Sequence, residues 1–228
     1  MQPRLVLKQM EIGSMMNFVY LVGCAKTRQA AVVDPAWDIP FIRDTAQEMG
    51  LEIGHVFLTH GHPDHINGLP ELVEATHARV HLHSLEAAYM RQMAAQFGVP
   101  EVFVDLVTGN YEAVSDGEEI MLGELPVRVL HTPGHTPGSV CYLAWDSLFS
   151  GDTLFINACG RVDLPGSDPA AMWFSLNRRL AALDDGTVIY PGHNYGGRRS
   201  STIGEQRRSN PYMQYESEQE FVRDMGGD

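Results

Sequence analysis

The stretch His60-Gly61-His62-Pro63-Asp64-His65 places three imidazoles and a carboxylate within six residues. Zinc and similar borderline ions take imidazole nitrogen and carboxylate oxygen. The stretch follows Val56-Phe57-Leu58-Thr59, the end of a short buried strand predicted from His55 to Thr59, which puts it on the loop at a strand's carboxyl end. A loop can aim alternate side chains at different ions, which a straight strand cannot. The expected division is His60 and His62 toward one ion, with Asp64 and His65 toward a second. Pro63 stiffens the turn, and Gly61 and Gly68 are expected to relieve crowding near the ions. Further donors arrive in matching contexts, each after an apolar run: His135 in Thr132-Pro133-Gly134-His135-Thr136, Asp152 in Ser150-Gly151-Asp152-Thr153, and His193 in Tyr190-Pro191-Gly192-His193. Donors at four strand ends require a multistranded fold whose loops meet at one rim.

The rest of the chain fits that requirement. Asn17 to Val22 and Ala30 to Val33 read as strands, and Asp38 to Met49 has helical apolar spacing stopped by Gly50. A helix is expected from Leu69 to Thr76 and a strand from Ala78 to Leu82. Ser84 is expected to cap a helix running to about Phe97. In the second half, Glu119 to Leu122, Val127 to His131, Ser139 to Ala144, Leu148 to Ser150 and Thr187 to Tyr190 read as strands. Asp168-Pro169 opens a helix reaching about Leu183. Strands outnumber helices and the helices fall outside the strand clusters. The fold class is therefore α/β (α+β), with two mixed sheets face to face and helices on the outer faces. Residues 1–212 read as one domain and 213–228 as a polar, mobile tail.

The net charge of -13 repels phosphate backbones and anionic lipid, so neither nucleic acid nor membrane is an expected partner. Met1 to Met10 carries charges without a long apolar core. Cys24, Cys141 and Cys159 are widely spaced, which suits reduced thiols and a cytoplasmic location.

These residues resemble the metallo-β-lactamase fold superfamily and, within it, the glyoxalase II-like (hydroxyacylglutathione hydrolase-like) hydrolases, from Val33-Asp34-Pro35 to Asn210-Pro211-Tyr212. The resemblance implies an αββα sandwich. It implies His60, His62 and His135 on a first metal, Asp64, His65 and His193 on a second, and Asp152 bridging. Two divalent ions are expected, zinc by preference, with iron or manganese also compatible. Asp34 matches an aspartate that in the family supports the ligand loop, and a plain turn aspartate before Pro35 has the same spacing. The best-known lactamase subclass carries cysteine where Asp152 stands, so lactamase activity is not the expectation. His55, His77, His81, His83 and His131 are read as packing or supporting residues, although His81 and His83 share a strand face.

A site of this kind hydrolyses an acyl group with a metal-bound hydroxide, Asp64 holding the nucleophile and taking its proton. A thiol leaves as thiolate without a proton donor, so a small-molecule thioester of the hydroxyacylglutathione type suits the site better than an amide. Gly151-Asp152-Thr153-Leu154-Phe155 and Cys159-Gly160-Arg161 are similar to stretches of glyoxalase II, where the residue at Arg161 helps hold glutathione. Asp163 replaces an aromatic contact of that family, and the 35 residues after His193 are too few for its helical C-terminal domain. Two alternatives stay open inside the superfamily. One is a persulfide dioxygenase with a single iron on His60, His135 and Asp152, suggested by Gly160-Arg161-Val162-Asp163. The other is a lactone or ester hydrolase. A third, from another class, is a non-catalytic metal-binding protein. Arg198, Arg199, Arg207 and Arg208 form either an anion site or a solvated helix face.

Overall fold

The computed structural model describes residues 4–96 and 98–225. The first sheet contains β1 (Leu5–Ile12), β2 (Asn17–Cys24), β3 (Gln29–Val33), β4 (Glu52–Phe57), β5 (Arg79–His83) and β6 (Glu112–Val114), hydrogen-bonded in that order. The second contains β7 (Glu119–Leu122), β8 (Leu125–His131), β9 (Val140–Ala144) and β10 (Ser147–Gly151). A short ribbon of β11 (Leu154–Phe155) and β12 (Ala158–Cys159) follows, before β13 (Val188–Pro191) and β14 (Ser201–Thr202) complete the second sheet in the order β14-β13-β10-β9-β8-β7. Both sheets are mixed. β3, β4 and β5 run parallel, as do β10 and β13, so the chain leaves these strands at the same edge of the molecule.

Side chains of period two divide the core into layers. Phe18, Tyr20 and Val22 of β2 point between the sheets toward Val127, Val129, Tyr142 and Phe149. Phe57 stacks on Tyr142 across that interface, with ring centroids 4.7 Å apart. Val19 and Leu21, on the opposite face of β2, pack under the helices of the first half. Those helices are α1 (Ile39–Glu48), α2 (Pro63–Ile66), α3 (Leu69–Thr76), α4 (Ser84–Met93) and α5 (Glu101–Gly109). A third apolar layer joins Leu130, Cys141, Leu148 and Ile189 of the second sheet to α6 (Pro169–Phe174), α7 (Ile203–Ser209) and α8 (Glu218–Met225). Three apolar layers between four layers of structure make the expected αββα sandwich. None of the described helices is long and apolar enough to cross a membrane.

Local signals act largely as expected. Asp38 caps α1 through Phe41 N at 3.1 Å, and Gly50 follows α1 with a positive φ. Asp168 accepts from Ala170 N and Ala171 N at 2.8 and 3.0 Å, and the helix it opens continues past Phe174 through a π turn and a 3-10 turn to Ala182. Other expectations need correction. The cap of α4 is His83, whose Nδ1 accepts from Leu85 N, and α4 ends at Met93; Phe97, its expected end, lies outside the described residues. β1 and α5 went unread, because Lys8 and Glu11 interrupt the apolar pattern of an edge strand and the Val104–Leu106–Val107 run has no clear polar face. The stretch 213–228, expected to be a mobile tail, is not a loose one over its described part. Glu218–Met225 forms α8, which lays the fully buried ring of Phe221 edge-on to Tyr215, 5.1 Å between centroids.

Because Phe221 fills the layer under α6, Phe221→Ala should destabilise the protein by about 3 kcal/mol. Thermal unfolding checks this, and a loss below about 1 kcal/mol would mean that α8 adds little to the core.

Candidate metal centre

All the donors singled out in the sequence lie at one rim of the sandwich. His60 and His62 follow β4, and Asp64 and His65 sit on α2, a single helical turn started by Pro63 where a loop was expected. His135 follows β8, Asp152 follows β10 and His193 follows β13. Donor atoms of His60, His62 and His135 lie within 4.8 Å of one another, as do those of Asp64, His65 and His193. Asp152 stands between these two clusters. Its Oδ2 is 3.6 Å from His135 Nε2 and 3.5 Å from His193 Nε2, and its Oδ1 is 3.3 Å from His65 Nε2.

Backbone carbonyls and one carboxylate decide which ring nitrogen faces inward. His135 Nδ1 donates to Arg161 O at 2.9 Å and His193 Nδ1 to Met15 O at 3.0 Å, leaving each Nε2 as an acceptor. Thr59 Oγ1 donates to Asp34 Oδ2 at 2.6 Å and so accepts from His60 Nδ1 at 3.0 Å. His65 Nδ1 lies 3.1 Å from the same Asp34 oxygen, and Thr59 N donates to Asp34 Oδ1 at 2.7 Å. Asp34 therefore orients His65 directly and His60 through Thr59. Donor atoms of Asp34, His60 and His65 also lie within 4.8 Å of one another, but both oxygens of Asp34 are engaged this way, which suits support of the rings rather than ligation. Asp34 adopts φ 50°, a left-handed conformation that aspartate tolerates, so the turn residue and the supporting residue are one and the same.

The residues present fit a cation. His62 Nδ1 faces His135 Nε2 at 2.9 Å and His65 Nε2 faces His193 Nε2 at 3.1 Å. Nitrogens sharing a tetrahedral zinc at about 2.0–2.1 Å lie about 3.3 Å apart, close to these separations. His60 Nε2 and Asp152 Oδ1 are buried and have no hydrogen-bond partner, an arrangement that is costly unless something positive meets them. Gly192 is required beside them, since a Cβ there would come 2.3 Å from Asp152 Oδ1. Burial holds His60 and His135 below the ordinary imidazole range and takes His62 down to about 3. These rings are thus neutral and ready to donate lone pairs. In His65 burial also opposes the charge, but Asp152 and Asp34 outweigh it and raise the imidazole. Asp152 is pushed up by burial and pulled well below the carboxylate range by His65 and His193.

The clusters open onto a cavity of roughly 390 Å³, lined elsewhere by Met15, Phe155, Ala158, Leu164 and Tyr195. Tyr195 stacks on His193 at 4.6 Å. Arg161 also lines it, with its guanidinium paired bidentately to Asp163 at 2.8 Å, both exposed. Gly61 and Gly68 do not relieve crowding at the donors; their Cβ positions would strike Met90 and Ile39. His81 and His83 do not pair with each other. His81 stacks on His55 and His83 on His131, away from both clusters. Arg198 pairs with Glu205, Arg199 with Glu11 and Arg207 with Asp185, so these arginines behave as a solvated, ion-paired face.

Sequence reasoning missed Asn17, Glu86 and Tyr89. Asn17 Nδ2 donates to Asp64 Oδ2 at 3.0 Å while its own Oδ1 accepts from Trp37 Nε1. Nothing local marked Asn17. A lone carboxylate amid Ala87, Tyr89 and Met90 on the buried side of α4 was a readable signal for Glu86.

Burial also lowers His55 and His83 to about 4 and His81 to about 3. The unfolded chain takes up protons below about pH 6.5 that these folded rings refuse, so their contribution is full above that pH and is lost as pH falls toward 4. His65 and Glu86 (the latter raised to about 7 by burial) work in the opposite sense, two groups against six lowered rings. The metal-free protein should therefore melt at a clearly lower temperature at pH 4.5 than at pH 7.5, and a flat profile over that range would contradict these environments.

Comparison with known proteins gives consistent findings. The family model of the Metallo-beta-lactamase superfamily matches residues 13–193. A probable polyketide biosynthesis zinc-dependent hydrolase, BaeB, of Bacillus velezensis is 31% identical over 206 residues, 90% of this chain and 85% of that protein. A probable hydroxyacylglutathione hydrolase of Schizosaccharomyces pombe is 33% identical over 84% of this chain and 70% of its own length. Among solved structures, ETHE1 from Myxococcus xanthus superposes with a TM-score of 0.82 at 32% identity, covering 97% of this chain and 90% of that one.

Proposed function

This chain belongs to the metallo-β-lactamase superfamily, and on that premise we propose that it is a metal-dependent hydrolase that cleaves a small-molecule thioester of the hydroxyacylglutathione type. The observation that carries the reading is the pair of donor clusters joined by Asp152 at the floor of one cavity. His60, His62 and His135 would hold a first ion, Asp64, His65 and His193 a second, and Asp152 both. Zinc suits this all-nitrogen-and-oxygen set, and iron or manganese is compatible with it. Such ions, when bound, supply Lewis acidity that makes a water nucleophilic near neutral pH and polarises the substrate carbonyl.

The chain's own residues do the rest. Asn17 and the rings of His65 and His193 engage Asp64 at Oδ2. Oδ1 is left to take the proton of the attacking water. Met15, Pro63, Phe155, Ala158 and Leu164 enclose the acyl group and exclude bulk water. Arg161 stands where it can meet a carboxylate of the thiol half, as a surface contact of modest strength shared with Asp163.

The cavity wall favours a thiolate leaving group. Burial pushes the Cys159 thiol and the Tyr195 hydroxyl to about 12, and Arg161 does not give up its proton. Among the described lining residues outside the donor set, none is an acid poised near neutrality. An amine leaving group needs such a donor, whereas a thiol with pKa near 8.5 departs without one. The likeness to the probable hydroxyacylglutathione hydrolase of Schizosaccharomyces pombe supports the same choice.

A second reading is supported by the likeness to ETHE1, whose human counterpart is a persulfide dioxygenase: one iron on His60, His135 and Asp152, with oxidation of a persulfide in place of hydrolysis. One set of measurements separates the two. Protein prepared without added zinc is analysed for metal and assayed with S-lactoylglutathione, acyl-N-acetylcysteamine thioesters and glutathione persulfide. Two ions per chain and thioester turnover are expected. One tightly held iron with oxygen uptake on the persulfide, and no thioester turnover, would replace the hydrolase with the dioxygenase.

Asp152→Ala should lose metal together with rate, because the carboxylate serves both clusters. A variant that keeps both ions by metal analysis and most of its activity would refute the ligand assignment.

A further inference from the structure

Helix α4 lies against both loops of the first cluster. The carboxylate of Glu86, fully buried, accepts three hydrogen bonds there: Gly61 N to Oε1 at 2.7 Å, Thr136 Oγ1 to Oε2 at 2.6 Å and Gly138 N to Oε2 at 3.0 Å. Gly61 is the residue between His60 and His62, and Thr136 is the residue after His135. These bonds therefore tie the loop that leaves the first sheet to the loop that leaves the second. The approach is close by design of the backbone: a Cβ on Gly61 would lie 2.4 Å from Met90 Cγ, and one on Gly138 would lie 2.2 Å from Glu86 N. One turn along the helix, the hydroxyl of Tyr89 donates to Pro165 O at 2.8 Å and stands 3.5 Å from His62 Nε2. The same helix face thus reaches the outer edge of His62, whose Nδ1 is the nitrogen aimed into the cluster.

An apolar residue would fill the space of Glu86 without the desolvation that burial of a carboxylate entails. What it could not do is accept from donors on two loops at once. We propose that Glu86 is a positioning residue of the first metal cluster, holding the His60–His62 loop and the His135 loop at the separation at which their ring nitrogens converge. The role rests on the ligand assignment made above, and it does not depend on which substrate the enzyme takes.

The test is metal binding by the full chain, stripped of metal and titrated with zinc against a chromogenic chelator. The dissociation constant weakened in His135→Ala identifies the first cluster. Glu86→Ala should loosen that constant by about 10–100-fold, the usual effect of removing a residue that orients ligands, and should leave the other constant within about two-fold. Glu86→Gln keeps one carbonyl acceptor but turns an NH2 group toward at least one of the three donors, so its constant should fall between. With cobalt(II) in place of zinc, the visible absorption of the first site should change in both variants. Equal loosening of both constants, or unchanged constants with only a lower melting temperature of the metal-free protein, overturns the positioning role. If Glu86→Ala does not fold, Glu86→Gln decides by the same criterion. A wild-type chain that takes up fewer than two ions overturns the ligand assignment and this role with it, whereas a chain that binds both ions and hydrolyses no thioester leaves the role standing and overturns only the substrate reading.

Discussion

Ring nitrogens face one another across a buried rim: His62 toward His135 at 2.9 Å and His65 toward His193 at 3.1 Å. Lone pairs held this way repel unless a cation or a proton stands between them, and the rest of the site is arranged around that constraint. Met15 O, Arg161 O and the Thr59–Asp34 relay take the outward N–H groups, which removes the freedom to turn the inward nitrogens away. Burial then denies the rings an easy escape by protonation, most plainly at His60 and His62. In the metal-free protein Asp152 and Asp34, standing beside His65, outweigh its burial and favour its charged form.

The sandwich is what makes such a rim affordable. Parallel neighbours among β3, β4 and β5, and again β10 with β13, release the chain at one edge. Each strand is locked in register by side chains on both of its faces, so the loop that follows starts from a fixed point. Tyr20 shows the coupling: its ring packs between the sheets against Phe149, while its hydroxyl donates to Pro191 O, two residues before His193. Packing energy in the apolar layers is thereby converted into precision at the donors. Outside the donor set, none of the described residues lining the cavity is an acid poised near neutrality, which is why the chemistry of the leaving group carries so much of the proposed function.

The donors were legible in the sequence because each followed an apolar strand and stood beside glycine or proline. His60, His62, His135, Asp152 and His193 share that local grammar, and strand ends were accordingly located to within a residue or two. Asp34 was legible as a turn; its three hydrogen bonds to Thr59 and His65 were not, since they join residues 25 and 31 positions apart. Asn17 escaped for the same reason, and although the apolar neighbours of Glu86 marked it as buried, no local pattern says which distant N–H groups a carboxylate will meet. α8 escaped because one phenylalanine in a polar stretch is a weak signal until the layer that receives it exists.

The sequence by itself determined the chemistry of the donors, the class of fold needed to gather them and the positions of most strands along the chain, because these follow from residue type and from patterns of period two and 3.6. Tertiary structure decided which nitrogen of each imidazole faces inward, that Asp152 lies between two clusters, and that Glu86 joins two loops from different sheets. Those outcomes depend on distances between residues far apart in the chain, which only close packing of the two sheets and their helices sets.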